Sequence, residues 1–343
     1  MKASVIIPTY NRADQLSVTL SSLVRVDYDA NLFEIIVVDN GSTDSTKEII
    51  HKHIHENPNH HINYVFDAIP GLLTGRHRGA MESKTDILIF IDDDIKADRN
   101  WLREIVGTFE RHTDVHLVGG KCLPDFEKSP PDWIRYFWKE LPDGGRMLTD
   151  LSLCEYGETE KEIPATWVWG LNFSIRKESL YKYGGFHPDN IPPSLQHFQG
   201  DGETGLSFKL MKAGCKVVYN PKIIVLHMVP AERMTYTYFE KRYFYQGVCN
   251  SFTEIRRIKG SNCRKIITTF VRMMKEIYHA LFRTDRNKFI PGTDDYDKNL
   301  LITRFASMEK AGYLFHQKIA WNSPELMKWI LRKNYFDYKL PNI

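Results

Sequence analysis

Three consecutive aspartates, Asp92, Asp93 and Asp94, directly follow the apolar residues 87–91. Carboxylates this close together repel one another unless positive charge lies beside them. A hard divalent cation with oxygen ligands supplies such charge, and a diphosphate would complete its coordination. A solvated acidic turn is the alternative, but such turns seldom follow so apolar a run. The triplet therefore predicts a divalent-metal site.

Further candidate residues lie nearer the carboxyl end of the sequence. Asp201 and Glu203 precede a predicted helix, where capping and the helix dipole account for one carboxylate without any chemical role. His227 ends a predicted strand. It is either a metal ligand or a buried histidine with ordinary hydrogen bonds.

Polar residues also follow the first two predicted strands, at residues 8–12 and 39–44. A carboxylate placed like that of Asp39 can accept hydrogen bonds from a nucleotide base or ribose, although it can equally cap a helix. In residues 71–79, Arg76 and Arg78 are suited to phosphate or to stacking on a base. We expect one of these two arginines to be merely solvated. No dinucleotide-binding GxGxxG and no P-loop GK[ST] is present.

These residues need a scaffold, and β-branched runs alternate with helical periodicity through residue 120. Strands are predicted at residues 4–8, 33–38, 62–66, 86–91 and 116–120. Helices are predicted around residues 16–24, from Ser42 or Thr43 to 55, and at 74–83 and 99–111. This order predicts an α/β fold with a doubly wound sheet, whose ligand crevice lies at the carboxyl ends of the strands.

The regular alternation stops at about residue 123 and resumes at about 166. The intervening segment is rich in Pro, Asp, Glu and Trp, and we interpret it as a long excursion from the sheet. Helices near 177–183 and 203–213 and strands at 216–219 and 223–226 follow. From residue 236 the pattern is mostly helical and basic. The predicted domains are residues 1–235, with nucleotide and metal binding in the first half and the acceptor side in the second, and a C-terminal extension of 236–343.

Taken together, these segments resemble glycosyltransferase family 2, whose members have the GT-A fold and invert the anomeric centre. The resemblance covers residues 2–230. It depends on SVIIPTYNR, IIVVDNGSTDST, GLLTGRHRGA, IFIDDDI, WGLNFSIRK with GGF, and GDGETGLSFKLMKAGCKVVYNP leading to His227. It implies a GT-A domain with a mixed, Rossmann-like sheet, and a transfer with inversion from a nucleotide-diphospho-sugar, a UDP-sugar being favoured.

The resemblance also implies roles for single residues. The nucleotide-sugar would be bound by Pro8, Thr9, Tyr10, Arg12, Asp39, Arg76, Asp92 and Asp93. Mn²⁺ or Mg²⁺ would be held by Asp94 and His227, with Asp92 as a further candidate. Glu203 matches the catalytic base, and Asp201 is its rival. The donor-sugar and acceptor side would include Trp169, Gly170 and Asn172.

One position departs from the family pattern. Family members commonly have Glu-Asp followed by Thr-Asp-Leu, whereas this chain has Gly202-Glu203-Thr204-Gly205-Leu206. A glutamate remains chemically competent as the base. The missing second acid, at Gly205, is expected to change how the acceptor is held.

The chain has 343 residues and a net charge of +3, which hides an uneven distribution. Residues 1–255 carry 28 Lys and Arg against 35 Asp and Glu, whereas residues 256–343 carry 18 against 8. Residues 264–288 form an amphipathic basic pattern, which indicates either packing on the catalytic domain or attachment to an anionic membrane surface. Nucleic-acid binding is disfavoured because no recognised module accompanies the charge.

The composition limits the class of protein and its compartment. An apolar fraction of 42% excludes a disordered chain, and no apolar run is long enough to span a membrane. Five widely spaced cysteines predict free thiols in a reducing cytoplasm. We therefore expect a cytoplasmic or peripheral enzyme, acting on a glycan or a lipid-linked acceptor.

Two other functions stay open. A sugar nucleotidyltransferase shares the architecture and the metal, but such enzymes usually carry a glycine-rich phosphate loop near the N-terminus, and PTYNR has no glycine. A catalytically silent nucleotide-sugar-binding or assembly subunit is supported only by the altered residues Gly202 and Gly205.

Overall fold

The computed structural model describes residues 2–69, 71–142, 144–257 and 294–340. By its contacts the chain forms two units. The first consists of Met1–Gln196, Asp201–Tyr238 and Lys333–Asn342, and the second of His197–Gly200 and Phe239–Arg332. We predicted one boundary at residue 235; by these contacts the second unit begins close to it, whereas the segment from Lys333 belongs to the first unit.

The first unit is built on parallel strands, of which β1, β2 and β4 are buried along their whole length. β2 pairs with β1 and β3, and β1 pairs with β4, all in parallel, while β11 runs antiparallel to β4. Strands apolar on both faces need cover on both sides, which the helices between them provide. The bounds are β1 (Ala3–Thr9), β2 (Phe33–Asp39), β3 (His61–Phe66), β4 (Ile87–Phe90), β11 (Phe173–Arg176), α1 (Ala13–Leu23), α2 (Thr46–Glu56), α3 (Leu72–Glu82), α4 (Trp101–Arg111), α5 (Lys177–Lys182) and α6 (Gly202–Lys212).

The segment interpreted as an excursion from the sheet in fact belongs to it. The sheet order is β3-β2-β1-β4-β11-β6-β9-β8-β7, and β12 pairs with β5, β6 and β10. Several of these strands have only two or three residues, too few to show a period of two in the sequence. Their bounds are β5 (Ile95–Ala97), β6 (Val115–Phe126), β7 (Lys139–Glu140), β8 (Arg146–Leu148), β9 (Leu153–Glu155), β10 (Lys161–Glu162) and β12 (Lys216–Val229).

Two local predictions were also wrong. The two strands expected at 216–226 are one strand, β12, whose register against β6 shifts between Tyr219 and Ile224, where Asn220 and Pro221 interrupt the ladder. The helix expected to start at Ser42 or Thr43 starts at Thr46. Ser45 is the residue before the helix and its side chain makes no capping bond; the Thr46 amide donates instead to the Asp44 carboxylate at 3.1 Å.

The segment that begins at Lys333 packs onto the first unit through aromatic side chains. Tyr335 is fully buried. The ring of Phe336 stacks on His77 at 4.6 Å and on Tyr181 at 4.7 Å. The Tyr338 hydroxyl donates to Asp67 at 2.7 Å. This segment therefore completes the core around α3 and α5.

The second unit is helical in its described residues, as predicted. Gly247 and Gly312 mark a close crossing of its two long helices, because a Cβ on either would lie 1.9 Å from a backbone oxygen of the other helix. The predicted amphipathic segment 264–288 lies outside the described residues. Within those residues, no helix is both long and apolar enough to cross a bilayer. The helices are α7 (Tyr236–Arg257), whose first turn belongs to the first unit, α8 (Asp294–Asn322) and α9 (Pro324–Ile330).

Candidate functional site

A cavity of about 260 Å³ opens at the carboxyl ends of β1 and β4. Parallel strands bring their carboxyl ends to one edge of the sheet, so the residues that follow them meet there. Most of the predicted nucleotide-binding residues are brought together in this way. The cavity is lined by Pro8, Thr9, Tyr10, Arg12, Asn40, Leu72, Asp92, Asp93, Asp94, Asn190 and Arg233.

Each carboxylate of the triplet has an arginine partner. Arg12 donates to Asp93 at 2.5 Å and to Asp94 at 2.9 Å. Arg233 also reaches Asp94 at 2.9 Å, while Arg76 lies 3.4 Å from Asp92. The chain itself therefore supplies positive charge to the triplet, which weakens the argument that repulsion alone requires a metal ion. Charge-assisted bonds of this kind also hold the three carboxylates in place.

The surroundings of Asp93 and Asp94 shift the pKa values of these two carboxyls in opposite directions. Burial is the main effect on Asp93, and it raises the pKa of that carboxyl. Burial acts in the same direction on Asp94, but contact with His227 and the charges of Arg233 and Arg12 outweigh it and lower the pKa. Asp94 is thus the member of the triplet that stays ionised most firmly.

Asp94 and His227 fit a metal ion by geometry. His227 Nδ1 donates to the Leu151 carbonyl at 2.9 Å, so Nε2 carries the lone pair; it lies 3.6 Å from Asp94 Oδ2 and accepts from Arg233 Nη1 at 2.8 Å. A backbone carbonyl on the far nitrogen is the usual support of a ligating histidine. Asp94 Oδ1 is buried and has no hydrogen-bond partner among the described residues. No group of three or more His, Cys, Asp or Glu side chains in the described part of the chain is arranged as a metal site. Asp94 and His227 could thus supply two ligands to a metal ion, and oxygens from a bound molecule would have to complete the set.

Arg76 connects the triplet to the predicted catalytic carboxylate. It is buried, lies 3.4 Å from Asp92 and 3.3 Å from Glu203, and its guanidinium stands over the ring of Phe186. Gly170 makes room for it, since a Cβ there would lie 2.0 Å from Arg76 Nη2. Arg78, in contrast, is 40% exposed and pairs with Glu82 on the same helix. The solvated arginine of the pair is thus Arg78.

Glu203 and its rival Asp201 have different surroundings. Glu203 Oε2 accepts from Arg76, Oε1 accepts from the Gly170 amide at 3.2 Å, and the side chain is 21% exposed. Asp201 is only 6% exposed, and its carboxylate lies 2.5 Å from His187. A base needs access to the proton that it removes. The geometry therefore favours Glu203.

Asp39 is buried at the end of β2 and does not cap a helix. Its Oδ1 accepts from the Ser42 amide at 2.8 Å, and its Oδ2 accepts from the Tyr64 hydroxyl at 3.1 Å. Burial, followed by the bond to this carboxylate, raises the pKa of Tyr64 to about 12. Both carboxylate oxygens are thus oriented at the strand end, where a base or ribose is predicted to bind.

The residues predicted for the sugar side divide into two kinds. Asn172 is buried, accepts from Trp101 Nε1 at 3.1 Å and donates to the Lys121 carbonyl, so its amide supports the backbone. Gly170 touches Arg76 and Glu203 directly. Trp169 is partly exposed next to it. Of the three, Gly170 has the most direct contact with charged groups of the site.

Three residues at the site were not predicted from the sequence: Asn190, Leu72 and Thr19. Asn190 adopts a positive φ of 47° and lines the cavity, a conformation that asparagine tolerates better than most residues. Thr19 is fully buried on α1, and its hydroxyl lies 2.8 Å from the carbonyl of Asp93. The available signal was a polar residue on the apolar face of that predicted helix.

Known proteins resemble this chain in sequence and in structure. It is 26% identical over 201 residues to validoxylamine A glucosyltransferase of Streptomyces hygroscopicus subsp. jinggangensis, covering 54% of this chain and 47% of that protein. It is 24% identical over 252 residues to glucosyl-dolichyl phosphate glucuronosyltransferase of Haloferax volcanii, covering 72% of this chain and 75% of the relative. The chain thus spans about half the length of the first relative.

A solved structure agrees with the predicted fold. The mannosyltransferase PcManGT of Pyrobaculum calidifontis, in complex with GDP-Man and Mn²⁺, matches with a TM-score of 0.52 and 17% identity. The match covers 98% of this chain and 85% of that one. The α/β GT-A fold with a helical C-terminal region, predicted from the sequence, is therefore confirmed.

The family itself follows from the sequence segment that builds the cavity. The family model described as "Glycosyl transferase family 2" matches residues 4–183, just over half of the chain. That range contains β1, β2, β4 and the aspartate triplet, the parts that form the floor and wall of the cavity. The chain belongs to glycosyl transferase family 2.

Proposed function

We propose that this protein transfers a sugar from a nucleotide-diphospho-sugar to an acceptor hydroxyl, with inversion at the anomeric carbon. The observation that carries the proposal is the buried Arg76, which joins Asp92, on the cavity wall, to Glu203 at the start of α6. One cation thus fixes the separation between a donor-binding carboxylate and a candidate base. The membership of the chain in glycosyl transferase family 2 supports the same reaction.

The donor would bind with its base and ribose near Asp39 and Tyr10 and its diphosphate beside Arg12 and Arg233. Tyr10 is 57% exposed and lines the cavity, so its ring is available for stacking. Asp94 and His227 would hold Mn²⁺ or Mg²⁺, which when bound stabilises the charge on the departing nucleoside diphosphate. Arg12 and Arg233, which form ion pairs with Asp94 in this structure, are placed to contact the diphosphate oxygens.

Glu203 would act as the general base. An acceptor hydroxyl oxygen forms a bond to the anomeric carbon, the bond from that carbon to the diphosphate oxygen breaks, and the hydroxyl proton passes to Glu203. Arg76 and the Gly170 amide each hold one oxygen of Glu203, and a carboxylate oxygen has a second lone pair for the acceptor. General-base catalysis of this kind contributes about 10²- to 10⁴-fold in rate.

The acceptor is proposed to be a glycan or a lipid-linked glycan. Support comes from the Haloferax volcanii relative, a glucosyl-dolichyl phosphate glucuronosyltransferase. The basic segment 264–288 is consistent with an anionic membrane surface, though it lies outside the described residues. A UDP-sugar remains the favoured donor, and GDP-sugars belong in the same screen.

The experiment begins with a thermal-shift screen of UDP-, GDP- and dTDP-sugars with Mn²⁺, since a ligand that binds the folded state raises its Tm. Transfer is then measured as nucleoside diphosphate release with a panel of glycan acceptors, and NMR assigns the product anomer. Asp94→Ala and Glu203→Gln are each expected to lower kcat by about 10²-fold or more. Glu82→Gln, at an exposed carboxylate that pairs with Arg78, is the control and should leave kcat unchanged.

Full activity in Glu203→Gln or in Asp94→Ala would overturn the role given to that residue. Binding of a nucleotide-sugar without turnover across the acceptor panel would instead favour the silent binding subunit. Retention of configuration in the product would contradict a single displacement.

A further inference from the structure

His187 makes two contacts with the residues that begin α6. Its backbone amide donates to the Gly202 carbonyl at 2.9 Å. Its Nδ1 lies 2.5 Å from Asp201 Oδ1, and the two side chains are 2% and 6% exposed. Because an ionised carboxylate can only accept, Nδ1 is the donor of this bond. The imidazole and the carboxylate thus form one buried pair at the start of the helix whose first turn carries Glu203.

Gly205 makes the space that this pair occupies. A Cβ at residue 205 would lie 2.0 Å from His187 Nδ1 and 2.6 Å from Asp201 Oδ1, the two atoms of the hydrogen bond itself. No side chain fits there while the pair is formed. The Asp201 carboxylate therefore occupies the place that a side chain of residue 205 would enter.

Tyr335 covers the pair from the segment that begins at Lys333. Its ring packs edge-on against His187, with the centroids 5.3 Å apart. Its carbonyl accepts from His77 Nδ1 at 3.0 Å, and His77 Nε2 accepts from the amide of Phe186, the residue before His187. The ring of His187 and the backbone beside it are thus held by the segment that begins at Lys333 as well as by Asp201.

We propose that His187 and Asp201 are a positioning pair, which fixes the first turn of α6 and with it the Glu203 carboxylate, and that Gly205 is required to accommodate the pair. Neither residue takes the proton of the acceptor. The proposal rests on the function proposed above, because Glu203 is the base whose position the pair sets.

The first test separates a positioning role from a catalytic one at Asp201. Asparagine keeps an oxygen at residue 201 that accepts from His187 Nδ1, but it cannot serve as a base. Asp201→Asn is therefore expected to retain most of kcat, whereas Glu203→Gln loses it. Loss of activity in Asp201→Asn as large as in Glu203→Gln would overturn the proposal.

The second test uses a double-mutant cycle. His187→Ala and Asp201→Ala are each expected to lower kcat by about 10- to 100-fold, with the KM for the donor nearly unchanged, because small displacements of a catalytic group are costly. The double variant should lose no more than either single one. His116→Ala, which removes a comparable histidine bonded to Ser179 at 2.8 Å, is the control and should keep wild-type kcat. Additive losses, or a rise in donor KM with kcat intact, would contradict the proposal.

The third test concerns Gly205. Gly205→Ala should lower kcat in the wild-type background because its Cβ meets the pair, but cause little further loss in a His187→Ala background. An equal loss of kcat in both backgrounds would show that Gly205 is not required to accommodate the His187–Asp201 pair.

A readout without substrate distinguishes failure of this proposal from failure of the proposed function. Hydrogen exchange of the Glu203 and Thr204 amides is expected to rise in His187→Ala and Asp201→Ala and to stay unchanged in His116→Ala. Unchanged exchange in all three variants would overturn the positioning role, whatever the donor. Faster exchange in a protein that transfers no sugar would retain the role while refuting the activity.

Discussion

Glycines permit close approach in both units of the chain, but what they bring together differs. In the first unit, Gly170 and Gly205 admit charged side chains: the Arg76 guanidinium and the His187–Asp201 pair. In the second unit, Gly247 and Gly312 admit the backbone of the opposite helix. A buried glycine thus allows polar groups to be positioned in the first unit and two helices to pack closely in the second.

Gly170→Ala should give the largest effect, and it should act on activity. The new Cβ would lie 2.0 Å from Arg76 Nη2, so the guanidinium must move away from Asp92 and Glu203. We expect kcat to fall by about 10²-fold, since shifts of about 1 Å near a catalytic group have that cost. Steady-state transfer assays with the donor found in the screen measure it. Wild-type kcat in this variant would show that Gly170 is not needed to hold the Arg76 guanidinium in an active position.

Gly247→Ala should act on stability instead. The Cβ would meet the Glu309 carbonyl oxygen at 1.9 Å, and two helix backbones cannot separate locally without losing other contacts. Overpacking of this kind costs about 1–3 kcal/mol in the free energy of unfolding. Denaturant unfolding is the measurement, with transfer activity at low temperature as the companion assay. Activity loss without loss of stability would contradict the distinction drawn between the units.

The smallest effect concerns a buried histidine of the second unit. Burial, with the nearby charge of His197, lowers the pKa of His316 to about 4, while its Nδ1 lies 2.6 Å from the Ser251 hydroxyl. A histidine whose folded-state pKa is depressed adds stability that is present above the unfolded value of about 6.5 and is lost as pH falls towards 4. Between pH 7 and 5.5 we expect the free energy of unfolding to fall by about 1 kcal/mol from this group.

The matched variants for this pH test are His316→Gln and His55→Gln. Glutamine at 316 does not titrate, so its stability should depend less steeply on pH over that range. His55 is exposed on α2, and its replacement should leave the wild-type slope unchanged. Equal slopes in His316→Gln and wild type would show that His316 does not contribute.

How much could be predicted from the sequence depends on the range of the interactions involved. The strands β1, β2 and β4 were predicted because buried parallel strands are continuous apolar runs, and the aspartate triplet follows directly from one of them. The meander β7–β9 was not predicted because its strands are too short to show a period. Arg12 was predicted as a nucleotide-binding residue, but its ion pair with Asp94 was not, and Arg233 lies so far along the chain that only folding brings it to within 2.9 Å of Asp94.

The contact of His77 with Tyr335, which spans 258 positions of the sequence, has a consequence for synthesis on the ribosome. Residues are made from the N-terminus, so the whole second unit is translated before Tyr335 emerges. Until then His77 and His187 lack the contacts that Tyr335 makes with them. The late steps in folding of the first unit therefore depend on the segment that begins at Lys333, which is translated only after residues 239–332.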